Sequence, residues 1–95
     1  MIYGENEKGI LCMFYIYMVR CKDGSLYTGF TNDVESRIRT HNEGKGAKYT
    51  RGRLPVTLVY MESFTDKSQA MKREYEIKQY PRPMKVDLIK NWKKS

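Results

Sequence analysis

The chain has little of what disulfide scaffolds, metal cages and membrane proteins are built from. It holds 2 cysteines and 1 histidine in 95 residues, too few for a zinc site of the usual cysteine and histidine composition. The two thiols are Cys12 and Cys21. If the run between them is extended they lie roughly 30 Å apart, against the about 5.5 Å that a disulfide spans. Reduced thiols and a cytoplasmic location are the expectation. No apolar run approaches the roughly 20 residues of a bilayer helix, which excludes a helical membrane span. The opening MIYGENEKGILCM has neither a basic start nor a long apolar stretch, so it is not read as a secretion signal. Acidic residues are also short, 11 against 18 Lys and Arg, leaving a net charge of +7. What is plentiful is aromatic and aliphatic: 40% hydrophobic and 13% aromatic content is too rich for a disordered chain. Length allows one domain. Residues 1–12 show no periodicity and are expected to form a disordered leader, with the domain over 13–95.

The positive charge is concentrated. Lys45, Lys48, Arg51 and Arg53 crowd one glycine-flanked stretch without an acid, and residues 67–94 carry nine cations against Glu74, Glu76 and Asp87. Such a surface suits a polyanion.

Periodicity gives the architecture. Phe14–Cys21 and Ser25–Thr31 are dense in β-branched and aromatic residues and read as strands around Lys22-Asp23-Gly24. The turn length decides which side chains share a face, because the strand period is two. A three-residue loop with a left-handed Gly24 pairs Cys21 with Ser25. It puts Tyr15, Tyr17, Val19, Tyr27, Gly29 and Thr31 on one side and Phe14, Ile16, Met18, Leu26 and Phe30 on the other. That segregation is cleaner than the two-residue alternative allows, and it leaves open space over Gly29 beside Tyr17. Asn32-x-x-Glu35 approximates a capping box opening a helix, with Val34 and Ile38 as its apolar stripe. Arg37 and His41, four apart, share a face of that helix. Residues 45–53 read as a flexible loop, and Val56–Phe64 as a strand apolar at both parities. Asp66-x-x-Gln69 opens a further helix whose stripe is Ala70, Met71, Glu74, Ile77 and Lys78. Pro81 and Pro83 break it and start a last one, with Met84, Leu88, Ile89 and Trp92 inward. The expectation is an α+β domain of order β-β-α-β-α-α, with a three-stranded antiparallel sheet flanked by helices.

Three features of this pattern carry chemistry. Glu74 is a carboxylate within an apolar stripe, costly there unless paired or metal-bound; Lys78 and Arg73 are the available partners. Arg37 and His41 can meet one phosphate, the guanidinium as clamp and the imidazole as proton carrier. The tyrosines are strand residues first, and a phenol with a pKa of about 10 needs nearby cations to act as a base. The 45–53 stretch lacks the Gly-x-x-x-x-Gly-Lys-Ser/Thr pattern of a P-loop, so its cations point to phosphate-backbone binding without nucleotide specificity.

Taken in order, these segments resemble the GIY-YIG nuclease domain, in its small single-domain bacterial branch. They are also similar to the nuclease domains of the bacterial excision-repair incision subunit and of the eukaryotic structure-specific flap and junction endonuclease. Tyr15-Ile16-Tyr17 stands where the family has Gly-Ile-Tyr, and Tyr27-Thr28-Gly29 where it has Tyr-Ile-Gly. Arg37 and His41 follow at the family's spacing, Gly46–Arg53 matches the single-domain branch, and Ala70–Glu74 matches the segment bearing the family's metal-binding glutamate. Tyr15 and Thr28 are departures at noncatalytic positions. The resemblance implies a Mg²⁺- or Mn²⁺-dependent DNA endonuclease with little sequence specificity. Glu74 would hold the metal, and Arg37 would neutralise transition-state charge. Tyr17 or Tyr27, with His41, would activate water, while Lys45, Lys48, Arg51 and Arg53 would hold DNA. A DNA-repair role is implied by the kinship alone. Two alternatives stay open: a nucleic-acid-binding module with little turnover, and a subunit that needs a DNA-targeting protein partner.

Overall fold

Residues 13–93 are described by the computed structural model of this chain. The leader expected over residues 1–12, including Cys12, lies outside the described residues. The element order is β1 (Phe14–Arg20), β2 (Leu26–Thr31), α1 (Val34–Asn42), α2 (Lys48–Arg51), β3 (Thr57–Phe64), α3 (Lys67–Lys78) and α4 (Arg82–Lys93). The three strands form one antiparallel sheet in the order β2-β1-β3, giving the expected α+β architecture with one added helical turn, α2. None of the helices among the described residues is long and apolar enough to cross a membrane.

The β1–β2 turn is the three-residue form. Cys21 N donates to Ser25 O at 2.8 Å, Gly24 N donates to Cys21 O at 2.9 Å, and Gly24 has φ +86°, a conformation that glycine adopts without the Cβ penalty. The resulting register pairs Tyr17 with Gly29 and Val19 with Tyr27, so Tyr17 and Tyr27 share a face. The opposite face, with Ile16 and Met18, packs against α3 and α4 through Ala70, Ile77 and Ile89, and Phe14, Leu26, Phe30 and Phe64 surround this core. In β3 a register shift opposite Met18 and Val19 places Leu58 and Tyr60, two positions apart, on different faces. An extra residue in one strand re-aims the side chains beyond it: Tyr60 joins the Ile16 side and Leu58 the Tyr17 side. Arg73 of α3 fastens that helix to β3, donating to both carboxylate oxygens of Glu62, to Glu76 at 2.6 Å and to the Tyr80 hydroxyl at 3.1 Å.

Several local expectations move. The first helix is capped by Asp33 rather than Asn32: its carboxylate accepts from Ser36 N at 3.1 Å, and Thr31 Oγ1 accepts from Asp33 N. Asp66 caps α3 as expected but accepts from Ser68 N, so Gln69 completes no box in that bond. Met71 and Met84, expected inward, are 48% and 45% exposed. Ala70 and Ile77 fill the contact with the sheet, and position 71 is turned about 100° from Ala70, as the helical repeat requires.

Candidate active site

The polar face of the sheet is closed by α1 and α2, and the site forms where they meet β1. His41, in the last turn of α1, is fully buried. Its Nε2 lies 2.8 Å from Tyr17 Oη and its Nδ1 2.9 Å from Thr50 Oγ1. Thr50 uses its single hydroxyl proton to donate to Ala47 O at 2.9 Å, so it can only accept from His41. The network therefore assigns the proton to Nδ1 and leaves Nε2 to accept from the Tyr17 phenol. Burial, and secondarily the charge of Arg37, lower the pKa of His41, which favours this neutral imidazole.

Tyr17, 1% exposed, has its phenol pKa raised, chiefly by burial. Hydrogen bonding from the Arg37 guanidinium opposes that shift, while Tyr27 adds to it. Tyr27 is less buried; its ring centroid lies 6.4 Å from that of Tyr17 and 5.5 Å from the imidazole. Two glycines make this packing possible. A Cβ on Gly29 would lie 2.5 Å from Tyr17 Oη, and one on Gly46 would collide with His41 Nδ1. The space expected over Gly29 is thus occupied by the Tyr17 ring itself.

Glu74 approaches from α3. Its side chain is 19% exposed and its Oε2 lies 3.2 Å from Lys78 Nζ, while Arg73 is engaged elsewhere. Lys78 Nζ in turn lies 5.9 Å from the centre of the Tyr27 ring. Tyr17, Tyr27, Arg37, His41 and Glu74 are therefore neighbours: rings and hydrogen bonds join the first four, and Glu74 bears on Tyr17 through its charge. No group of three or more His, Cys, Asp or Glu residues among the described ones could cage a metal. A single, half-shielded carboxylate fits instead a hard divalent ion that keeps most of its water and takes phosphate oxygens.

The four loop cations divide. Lys45, Lys48 and Arg51 are exposed. Arg51 Nε lies 3.4 Å from Gly46 O. Arg53 is held by Asp23 at 3.1 Å and by Tyr49 O at 2.6 Å, with its guanidinium 4.1 Å above the Tyr49 ring. The stretch expected to be a flexible loop thus contains a helical turn that supports the histidine. Lys78 is the partner of Glu74 that the sequence offered, whereas Thr50 and Gly46 are members of this site that sequence reasoning does not single out. The glycines flanking the stretch are the available signal for Gly46, whereas nothing local marks Thr50.

Comparison with known proteins gives the family. Residues 13–87 match the model of the GIY-YIG catalytic domain, and the chain belongs to that family. It is 63% identical over 75 residues to a UPF0213 protein of Staphylococcus haemolyticus, covering 79% of this chain and 92% of that one. It is also similar to the solution structure of a UPF0213 protein from Bacillus halodurans, at 51% identity and TM-score 0.55, over 82% of this chain and 83% of that chain. A solution structure from E. faecalis aligns at 38% identity and TM-score 0.59, over 87% and 88%.

Proposed function

We propose that the protein is a divalent-metal-dependent endonuclease hydrolysing DNA phosphodiesters with little sequence specificity. The observation that carries this reading is the buried relay from Tyr17 through His41 to Thr50. A phenol is a poor base on its own, and burial makes its deprotonation harder. Here the proton has a receiver: Tyr17 passes it inward to Nε2 of a neutral imidazole, whose Nδ1–H is held by Thr50. Arg37 favours the phenolate that results. Tyr17 so activated takes the proton of the attacking water, while the water oxygen bonds to phosphorus and the bond to the leaving 3′ oxygen breaks. The 3′ alkoxide takes a proton from solvent, and His41 afterwards releases its own to solvent. Arg37, the guanidinium that bears on the Tyr17 phenol, is also the charge assigned to offset the developing phosphorane charge. Tyr27 has no proton acceptor of this kind among the described residues, so Tyr17 is assigned the base and Tyr27 a positioning role. Glu74 is the residue to hold the metal ion, and the chemistry the ion supplies when bound is charge stabilisation on the phosphoryl and leaving oxygens. Lys45, Lys48 and Arg51 are the exposed loop cations for the DNA backbone, a contact that positions the duplex without reading its sequence.

The Glu74–Lys78 pair favours one second reading, a DNA-binding module in which Glu74 is only a structural ion-pair partner. Glu74→Gln separates the two. On the nuclease reading, metal-dependent cleavage falls by orders of magnitude, since each ~1.4 kcal/mol of lost stabilisation is tenfold in rate, while metal-free DNA binding persists and the fold survives. Cleavage at near wild-type rate in Glu74→Gln removes Glu74 from the site and the metal assignment with it.

A further inference from the structure

The helical turn that carries Thr50 cannot hold itself in place. α2 spans four residues, and Ala47 before it supplies no side-chain cap; a helix so short has no stability of its own. Yet Thr50 Oγ1 must stay within reach of His41 Nδ1, because that contact fixes which ring nitrogen carries the proton. The bonds from Thr50 to Ala47 and from Arg51 to Gly46 tie the stretch only to itself. Arg53 ties it to the sheet. Its Nη1 donates at 2.6 Å to Tyr49 O, the carbonyl of the peptide group that joins Tyr49 to Thr50. Its Nε donates at 3.1 Å to the Asp23 carboxylate in the β1–β2 turn, and the other Asp23 oxygen accepts from Ser25 N at 3.0 Å. The backbone takes the same route, Lys22 N donating to Arg53 O at 2.8 Å and Arg53 N to Thr50 O at 2.9 Å.

The same guanidinium reaches the second tyrosine. It lies 4.1 Å from the centre of the Tyr49 ring, and that ring stacks with Tyr27 at 6.1 Å between centroids and 22° between planes. Tyr27 in turn lies against the imidazole. One planar group thus meets a carboxylate, a carbonyl and a ring face, which the single ammonium of a lysine cannot do. We infer that Arg53 is a positioning residue: with Asp23 and Tyr49 it sets where Thr50 and Tyr27 stand, and so holds His41 in the Nδ1–H tautomer. Its charge is matched by Asp23 and is not a phosphate contact. That this brace serves catalysis rests on the nuclease reading above; its hold on the imidazole does not.

The chain has one histidine, so histidine-selective ¹⁵N labelling of the full protein reads the His41 tautomer without overlap. Wild type is compared with Arg53→Lys, Arg53→Met and Tyr49→Leu at about pH 8, above the usual imidazole pKa, and well below every melting temperature. Expected in wild type is the spectrum of a single Nδ1–H tautomer. Both Arg53 variants should shift it toward the tautomer mixture of a free imidazole, and to a similar extent, since the lysine keeps the charge but not the fork. Tyr49→Leu keeps the gripped carbonyl and loses the ring, so it should shift the spectrum less. Melting temperatures should change little, because an exposed ion pair contributes little to stability. In metal-free binding of a DNA duplex, Arg53→Met should leave the slope of log affinity against log salt as in wild type, where one lost phosphate contact would flatten it by about 0.9. A mixed tautomer already in wild type, a wild-type tautomer in both Arg53 variants even with lowered melting temperatures, or a slope flattened by that amount in Arg53→Met overturns the proposal. In cleavage with metal, Arg53→Lys should lower kcat by up to about 10²-fold at unchanged KM, the cost of a reacting group misplaced by about 1 Å. Should the tautomer respond as expected while wild type cuts no DNA, the nuclease reading fails and the brace stands.

Discussion

Ile16 and Met18 on one side of β1, and Tyr17 and Val19 on the other, are equally shut off from solvent, yet their surroundings differ in kind. On the Ile16 side the partners are Ala70, Ile77 and Ile89 from two twelve-residue helices, and the polar network of Arg73 and Glu62 lies at the margin, partly exposed. On the Tyr17 side, buried oxygen and nitrogen atoms are linked in a row, Tyr17 to His41 to Thr50 to Ala47. Contacts on the first side are non-directional and tolerate conservative changes of shape. Those on the second depend on each donor finding its acceptor, because a buried polar group left unpaired costs about 1–3 kcal/mol. One face accordingly serves stability, and the other is a place where chemistry can be held ready.

Substitutions on the two faces should therefore be felt in different measurements. The largest effect is expected from Tyr17→Phe, which keeps the ring and removes the proton relay. On the proposed mechanism cleavage falls about 10²–10⁴-fold, the usual worth of a positioned acid or base, and Tyr27→Phe costs less. A larger loss in Tyr27→Phe would transfer the base assignment to that phenol. Next is Ile77→Ala on the opposite face, where truncating a fully buried side chain should lower stability by about 2–5 kcal/mol. Denaturant unfolding measures this, and cleavage per folded molecule should stay near wild type; a mild variant would mean that α3 packs loosely on the sheet.

Gly29→Ala tests the seam between the faces. Its Cβ would meet the Tyr17 ring from 2.5 Å, so overpacking should cost about 1–3 kcal/mol and displace the phenol from His41. Loss of stability without loss of cleavage would separate the ring's position from its function. The smallest effect is in pH. The pKa of His41 is lowered in the fold, so below the unfolded value of about 6.5 the unfolded chain takes up a proton that the folded one does not. Stability should therefore be full above pH 6.5 and decline as pH falls from there toward the folded pKa. His41→Gln should remove that component from melting curves recorded across this range. An unchanged pH profile would show that the imidazole is not held neutral.

Much of the fold could be read from the residues because its causes are local. The three-residue turn at Gly24, the faces of β1 and β2, and the break at Pro81 each follow from neighbours a few positions apart. Small displacements arise where two adjacent residues are equally suited to one position. Asn32 and Asp33 are both good caps, and Thr31 accepting from Asp33 N decides for the latter. Met71 lies outside the buried stripe because helical spacing defines such a stripe only to within a residue at its edges, and Ala70 and Ile77 already fill the contact with the sheet.

The site was legible as a set of residue types and not as a circuit. By itself the sequence determined the register that puts two tyrosines on one face, the turn that aligns Arg37 with His41, and the carboxylate on the inner side of α3. These follow from strand and helix periods, which are properties of the backbone. Only the tertiary structure decided that the basic stretch holds a helical turn, that Thr50 fixes the tautomer of His41, that Arg53 is tied to Asp23 thirty positions away, and that Thr28 buries a hydroxyl without a partner among the described residues. Each of those depends on where a side chain's hydrogen-bonding atom comes to rest against an element distant in the chain, and no local period encodes that.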